Sequence, residues 1–221
     1  AVLLSVYERE SPDYLDACLG SLAAQTRLPT QVVLVEDGPI PPTLASVIAT
    51  WRKSLPIESV RLPANVGLGR ALNAGLARCR HDLVCRMDTD DICAPDRFAR
   101  QIKYMEDHPD VVLCGSTIVE IDPASTQATG VRAAPESMGA IRRTLPWRNP
   151  FNHMSVCFRL HAVLALDGYR HRPWMEDYDL WLRLLTHPGS THNIQAPLVQ
   201  ARTGSAMLAR RSGRAYVKAE W

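Results

Sequence analysis

The sequence predicts an α/β fold, with a mostly parallel central sheet and helices on both faces. Three observations carry this reading. Apolar runs of strand length alternate with segments of helical periodicity through the first half of the chain. Glycine and proline punctuate the junctions between them. The fourth apolar run then ends abruptly in a cluster of carboxylates, and sheets of this class bind ligands beyond the carboxyl ends of their strands.

Residues 1–6 (AVLLSV) are apolar and rich in strand formers, which predicts a buried strand. Ser11 followed by Pro12 predicts an N-cap and first helical turn. Leu15, Leu19 and Leu22 then recur at helical spacing to about residue 25. Residues 31–36 (QVVLVE) predict a second strand, closed by the turn Asp37-Gly38-Pro39. A helix over 43–55 and a short strand over 60–62 follow. Residues 65–69 form a glycine turn into a helix through Ala71, Leu72, Leu76 and Ala77. Residues 83–87 are a fourth apolar strand that stops at Asp88.

Beyond this β-α-β-α-β-α-β series, Pro95 starts a helix to about residue 108, whose Arg97, Arg100 and Lys103 are expected on its exposed face. Residues 111–121 predict a strand. The second half is less regular: 122–132 a loop or hairpin tip, 135–145 helical, 146–154 irregular. A strand over 155–158, a short helix over 161–166 and a helix over 178–185, with Leu180, Trp181, Leu184 and Leu185 apolar, complete the reading.

Length and composition fit one large α/β domain over residues 1–221. Within it, residues 1–121 are expected as a ligand-binding half, 122–204 as a second half, and 205–221 as a basic tail. The tail from Arg202, with Arg210, Arg211 and Arg214, is expected as a solvated helix, a cover for phosphates of a ligand or a contact to an anionic membrane surface. Hydrophobic residues are 46% of the chain, enough for a substantial core, and a net charge of +2 offers no electrostatic case for nucleic-acid binding. The six cysteines contain no CxxC pair and sit mostly in apolar runs, so buried thiols in a reducing cytosol are expected. No apolar run has bilayer-spanning length and no signal peptide is visible. The chain opens on a strand-like segment without an initiator Met, so a trimmed chain is expected, leaving room for targeting information in the missing ends.

Asp88-Thr89-Asp90-Asp91 places three carboxylates in four positions. Like charges this close repel, and at least one pKa should rise unless a cation sits among them. Their hard oxygen donors suit Mg²⁺ or Mn²⁺. A solvated turn capping the next helix is the plainer alternative. A second group, Glu176-Asp177-Tyr178-Asp179, opens the last helix. There the carboxylates either complement the helix dipole or supply one general base. His153, after Asn152, is read as a hydrogen-bonding structural residue or a substrate contact. Trp174 is read as a packed aromatic or a sugar-stacking one.

The order of Ser5-Val6-Tyr7, Val35-Glu36-Asp37-Gly38, Asn65-Val66-Gly67, Asp88-Thr89-Asp90-Asp91 and Glu176-Asp177 resembles the family 2 glycosyltransferases, which have the Rossmann-like GT-A fold. Asn152-His153 and Asp167-Gly168-Tyr169-Arg170 add to the resemblance, which covers nearly the whole chain. It implies transfer of a sugar, with inversion, from a nucleotide-diphosphate donor to an acceptor hydroxyl. By position, Ser5 and Tyr7 would border the nucleobase and ribose, and Asp37 would accept a hydrogen bond from the base. Arg70 stands where some members place a base- or phosphate-contacting arginine, and Thr89 falls with the donor-binding group. Asp88 and Asp90 match the metal motif, with Asp91 a competing ligand. Asp177 matches the catalytic base, with Glu176 positioning it or the acceptor. The first motif lacks the Asn that many members carry after the Tyr, and Pro39 stands where a Ser often follows the Gly.

The Gln-x-x-Arg-Trp motif of processive members is absent, which favours single addition. The resemblance further implies bacterial surface polysaccharide or lipopolysaccharide assembly in the cytoplasm, possible peripheral association with the inner face of the plasma membrane, a UDP-sugar donor and a saccharide or lipid-linked saccharide acceptor. Two rivals are a nucleotidyltransferase, whose glycine-rich phosphate loop is missing here, and a degenerate sugar-nucleotide binder, against which Asp88, Asp90 and Asp177 stand. Gly67-Leu68-Gly69-Arg70 lacks the spacing of a dinucleotide fingerprint.

Overall fold

The structure is a computed structural model that describes residues 1–203. Its first half follows the predicted alternation: β1 (Val2–Val6), α1 (Pro12–Ala23), β2 (Val32–Glu36), α2 (Pro42–Trp51), β3 (Ile57–Arg61), α3 (Leu68–Leu76) and β4 (Leu83–Arg86). A two-residue strand, β5 (Ile92–Cys93), leads to α4 (Arg97–Asp107), β6 (Val111–Ile121) and β7 (Ala128–Arg132). Then come α5 (Met138–Thr144), a 3-10 turn (His153–Ser155), β8 (Cys157–Arg159), α6 (Leu160–Leu164), α7 (Glu176–Leu184) and β9 (Ser190–Arg202).

Among the described residues nine strands form one sheet, ordered β3-β2-β1-β4-β8-β6-β9-β5, with β7 paired to β6. The β3-β2-β1-β4 half is parallel throughout. β8 then inserts antiparallel between β4 and β6. The pleat divides the core in two. Val2, Leu4, Val6, Val32 and Leu34 pack with Leu15, Leu19 and Leu22 of α1 and Leu44 and Ile48 of α2. Their neighbours Leu3, Val33 and Val35 point the other way, onto Ala71, Leu72 and Leu76 of α3 and Leu180, Trp181 and Leu184 of α7. The apolar runs are continuous because both faces are covered.

Several expectations are corrected. The helix expected to residue 55 stops at Trp51, and Ser54 and Leu55 close a turn onto the Trp51 carbonyl. Pro56 disfavours helical geometry in the residue before it. β3 starts at Ile57 rather than 60, because Glu58 and Ser59 lie on a half-buried edge strand that an apolar pattern misses. The 122–132 segment is a hairpin, its second arm being β7. Ser11 occupies the N-cap position of α1 but makes no side-chain cap bond.

Arg97 is not on an exposed face: it is 0% exposed. Its guanidinium donates to Gln101 Oε1 (2.9 Å) and the Arg86 carbonyl (2.6 Å), and lies against the sulfurs of Met87 (3.0 Å) and Cys93 (3.3 Å). The six cysteines are free, and five of them are buried.

β9, the longest strand, has no counterpart in the sequence reading. Pro197 and alternating polar residues obscure it, and its pairing with β6 shifts register around that proline. Arg202 closes this strand. The remaining tail arginines, and the 205–221 tail as a whole, lie outside the described residues.

Candidate active site

β1 lies between β2 and β4, so the order of connection reverses beside it. A crevice at such a reversal is where open α/β sheets bind ligands. Ser5 to Tyr7, Glu36-Asp37 and the Asp88 loop occupy the three adjacent strand ends. Ser5 is half-buried and its carbonyl faces the Thr89 hydroxyl (3.4 Å). Tyr7 and Arg70 are exposed.

Asp37 is buried and already anchored. One carboxylate oxygen accepts the Val66 amide (2.7 Å) and the other the Gly67 amide (3.1 Å). Asp37 thereby fixes the turn from which α3 departs, with Arg70 in its first turn. Gly38 makes the approach possible. Its φ is +89°, and a Cβ there would stand 2.7 Å from the Asn65 nitrogen. Each anchored oxygen keeps a further lone pair for a base.

In the loop after β4, ligand atoms of Asp88, Asp90 and Asp91 lie within 4.8 Å of one another. Arg86, two residues earlier, donates to Asp88 Oδ1. The Arg202 amide donates to Asp91 Oδ1 (3.0 Å), and its guanidinium donates to the Asp90 carbonyl. Thr89 donates to Glu10 Oε2 (2.7 Å), which brings a fourth carboxylate beside the loop. Burial, then Asp88 and Glu10, raise the Asp90 pKa to about 7. Burial, then Asp90 and Asp88, hold Asp91 well above the usual carboxylate range. Asp91 Oδ2 is buried without a partner. An orphaned carboxylate oxygen among mutually repelling carboxylates fits a divalent cation: Asp88, Asp90 and Asp91 supply the hard oxygen donors that Mg²⁺ or Mn²⁺ takes.

Glu176 and Asp177 form the first turn of α7. Helix α3 comes close to them: a Cβ on Gly69 would lie 3.3 Å from the Glu176 Cβ and 3.5 Å from that of Tyr169. Asn149 donates to Asp177 Oδ2 (2.7 Å). Burial raises the Asp177 pKa, opposed by the Tyr178 amide, Asn149 and Arg86. Burial also raises Glu176, with Asp177 and Asp88 adding to the rise and Arg86 opposing it. The Tyr178 amide at Asp177 shows the helix-terminus role as well.

His153 Nε2 is 3.0 Å from the Tyr169 hydroxyl, and burial, then Arg86, holds its pKa well below the usual imidazole value. This is the hydrogen-bonding structural role. Trp174 is not packed away: it is 50% exposed, with a left-handed φ of +68°, two residues before Glu176.

Glu10, Arg86 and Asn149 border the candidate site beyond the residues the sequence points to. Arg202, expected as the start of a tail that could cover phosphates, stands on the Asp90-Asp91 loop. A charge inside Leu83-Val84-Cys85-Arg86-Met87 is a visible signal for Arg86. Glu10 and Asn149 carry none, since their neighbours here come from distant segments. A cavity of about 380 Å³ opens at the opposite strand ends, by Arg27, His81, Phe98 and Ile102, and holds none of the predicted site residues.

Residues 1–165 match the family model described as Glycosyl transferase family 2. The chain is 44% identical over 220 residues to an amylovoran biosynthesis glycosyltransferase of Erwinia amylovora, covering 100% of this chain and 82% of that protein. It is 36% identical over 220 residues to the UDP-Gal:alpha-D-GlcNAc-diphosphoundecaprenol beta-1,3-galactosyltransferase of Escherichia coli, covering 100% and 80%.

Among solved structures, S. aureus TarS 1-349 in complex with UDP-GlcNAc superposes with a TM-score of 0.76 at 17% identity, over 99% of this chain and 63% of that one. A mannosyltransferase from Pyrobaculum calidifontis in complex with GDP-Man and Mn²⁺ gives 0.68 at 18%, over 95% and 59%. The chain therefore spans less than two thirds of those solved chains, and at these identities the likeness speaks for the fold, which is of the GT-A type. On the family match and the two curated relatives, the chain belongs to glycosyl transferase family 2 and is a glycosyltransferase.

Proposed function

We propose that the protein transfers a sugar, with inversion, from a UDP-sugar to a hydroxyl of a saccharide carried on a lipid diphosphate. The observation that carries this reading is the Asp88-Asp90-Asp91 cluster after β4, whose ligand atoms lie within 4.8 Å of one another and leave Asp91 Oδ2 unpartnered. A donor diphosphate calls for such a metal site, and an acceptor hydroxyl for a general base such as the Glu176-Asp177 turn supplies. The names of the E. coli relative and of the UDP-GlcNAc complex support the donor and acceptor classes.

In this reading Asp88, Asp90 and Asp91 hold Mg²⁺ or Mn²⁺, with Asp91 completing the set through its unpartnered oxygen. Bound there, the ion offers Lewis-acid stabilisation of the charge that develops on the departing nucleotide. Ser5, Tyr7, Asp37, Arg70 and Thr89 border the nucleoside and phosphates. Asp177 accepts the proton of the acceptor hydroxyl as that oxygen attacks the anomeric carbon on the face opposite the diphosphate. Asn149 and Glu176 hold Asp177 toward the acceptor. The continuous sheet supports one domain, residues 1–121 serving the donor and the following half the acceptor. Among the described residues no helix is long and apolar enough to cross a membrane. A lipid-linked acceptor would place the protein at the cytoplasmic face of the plasma membrane.

The test is transfer from UDP-galactose or UDP-GlcNAc to a synthetic GlcNAc-diphospho-lipid with Mn²⁺, with the product's anomeric configuration read by NMR. A β-linked product from the α-linked donor, abolished by chelator, is expected. An α-linked product, or transfer indifferent to chelation, would contradict the mechanism.

A further inference from the structure

Arg86 is a buried cation that the transfer reading does not yet use. It is 1% exposed, on the last residue of β4. Its backbone is fixed on both sides: the amide donates to the Val156 carbonyl (2.8 Å), and its carbonyl accepts from Arg97 (2.6 Å). The pleat sets the direction of the side chain. Arg86 is in register with Leu3 and alternates with Cys85, so it points to the face of the sheet where α3 and α7 pack. On that face stand Tyr169, His153 and the first turn of α7.

The guanidinium donates through Nη2 to Asp88 Oδ1, while Nε and Nη1 are buried with no partner. A core residue that merely filled space would not carry two unmet donors, since an apolar side chain of the same volume would cost less. A half-satisfied buried charge is the mark of a group kept for the chemistry around it. Its field also reaches Glu176 and Asp177, where it opposes the effect of burial.

We propose that Arg86 is a positioning residue of the transfer site: by claiming one oxygen of Asp88, it orients that carboxylate and leaves only the other oxygen for the metal–donor complex. This rests on the transferase reading above. Outer-shell partners of metal-ligating carboxylates orient them in just this way. Because the orienting group is itself a cation, Arg86 also weakens the hold of the loop on a bare divalent ion. The two effects oppose each other, which gives the proposal a signature. Removing Arg86 frees a second Asp88 oxygen and removes a positive charge, so metal binds more tightly while turnover falls. Loss of a purely structural residue would weaken both together.

The experiment compares wild type with Arg86→Met and Arg86→Lys. Circular dichroism reports folding, Mn²⁺ binding without donor is titrated by electron paramagnetic resonance, and turnover is read as Mn²⁺-dependent hydrolysis of UDP-galactose and UDP-GlcNAc. For Arg86→Met we expect Mn²⁺ to bind more tightly, because a cation beside Asp88 is removed, and turnover to fall about 10- to 100-fold. Arg86→Lys, which keeps the charge without the fork, should return Mn²⁺ affinity toward wild type and recover part of the turnover. If the Met variant does not fold, the Lys variant decides: folded, with near-wild-type metal affinity and reduced turnover, it supports the proposal. Parallel loss of metal affinity and turnover, no change in either, or failure of both variants to fold would overturn it. A wild type that neither binds Mn²⁺ nor hydrolyses donor would sink the transferase reading, and this inference with it.

Discussion

Asn149 Nδ2 lies 2.7 Å from Asp177 Oδ2, joining an irregular segment after α5 to the first turn of α7. Burial raises the Asp177 pKa and this hydrogen bond lowers it. A general base works deprotonated, so activity on the acid side rises with pH through the folded pKa of Asp177. Asn149→Ala removes a stabiliser of the charged form and should move the acid limb of kcat/KM to higher pH. The profile measured from pH 5 to 9 checks this, and an unmoved limb would show that Asp177 does not set it.

Asp177→Asn keeps the shape of the side chain and removes the base. Transfer should fall by about 100- to 10,000-fold. UDP affinity should stay near wild type, because the proposed function places the donor diphosphate at the other carboxylate group. Parallel loss of UDP binding would instead make Asp177 a donor ligand.

Asp90 sits among like charges, and its pKa of about 7 has burial as the first cause, then Asp88 and Glu10. At pH 8 it is mostly ionised and the repulsion is present. Asp90→Asn should therefore raise the Tm of the metal-free protein at pH 8 and abolish the further rise that Mn²⁺ gives the wild type. A variant less stable than wild type, still stabilised by Mn²⁺, would remove Asp90 from the metal set.

Gly38 combines a left-handed φ of +89° with a backbone atom 2.7 Å from where a Cβ would sit. Gly38→Ala must strain the Asp37 turn or push residues 64 and 65 away, at a cost of about 1–3 kcal/mol. Denaturant unfolding should show that loss, and UDP affinity should fall with it, because the amides of Val66 and Gly67 lose their fixed acceptor. Wild-type stability would mean that the turn relaxes freely.

The first half of the fold was legible because its elements obey local rules. β2 and β4 open on the apolar runs Val32-Val33-Leu34-Val35 and Leu83-Val84-Cys85, α1 keeps its leucines on one stripe, and the Asp37 and Asp88 motifs fall where such strands end. The second half follows longer-range logic. β9 is stabilised by its pairing to β6 rather than by its own pattern, so Pro197 and the buried Thr191 and Asn193 concealed it. Arg97 looked solvated because its spacing says nothing of the acceptors that three other segments place around it. The same reason hides Glu10 and Asn149: each reaches the candidate site only through a partner 79 or 28 positions away.

In the proposed function the Asp88-Asp90-Asp91 loop holds a divalent ion through which the donor diphosphate is recognised. Its most direct test is calorimetric titration of UDP, with GDP and TDP as comparators, into wild type and Asp90→Ala, each with and without Mn²⁺. UDP binding that requires Mn²⁺ and is lost in Asp90→Ala is expected. UDP binding that is equal with and without the metal, and unchanged in the variant, would contradict it.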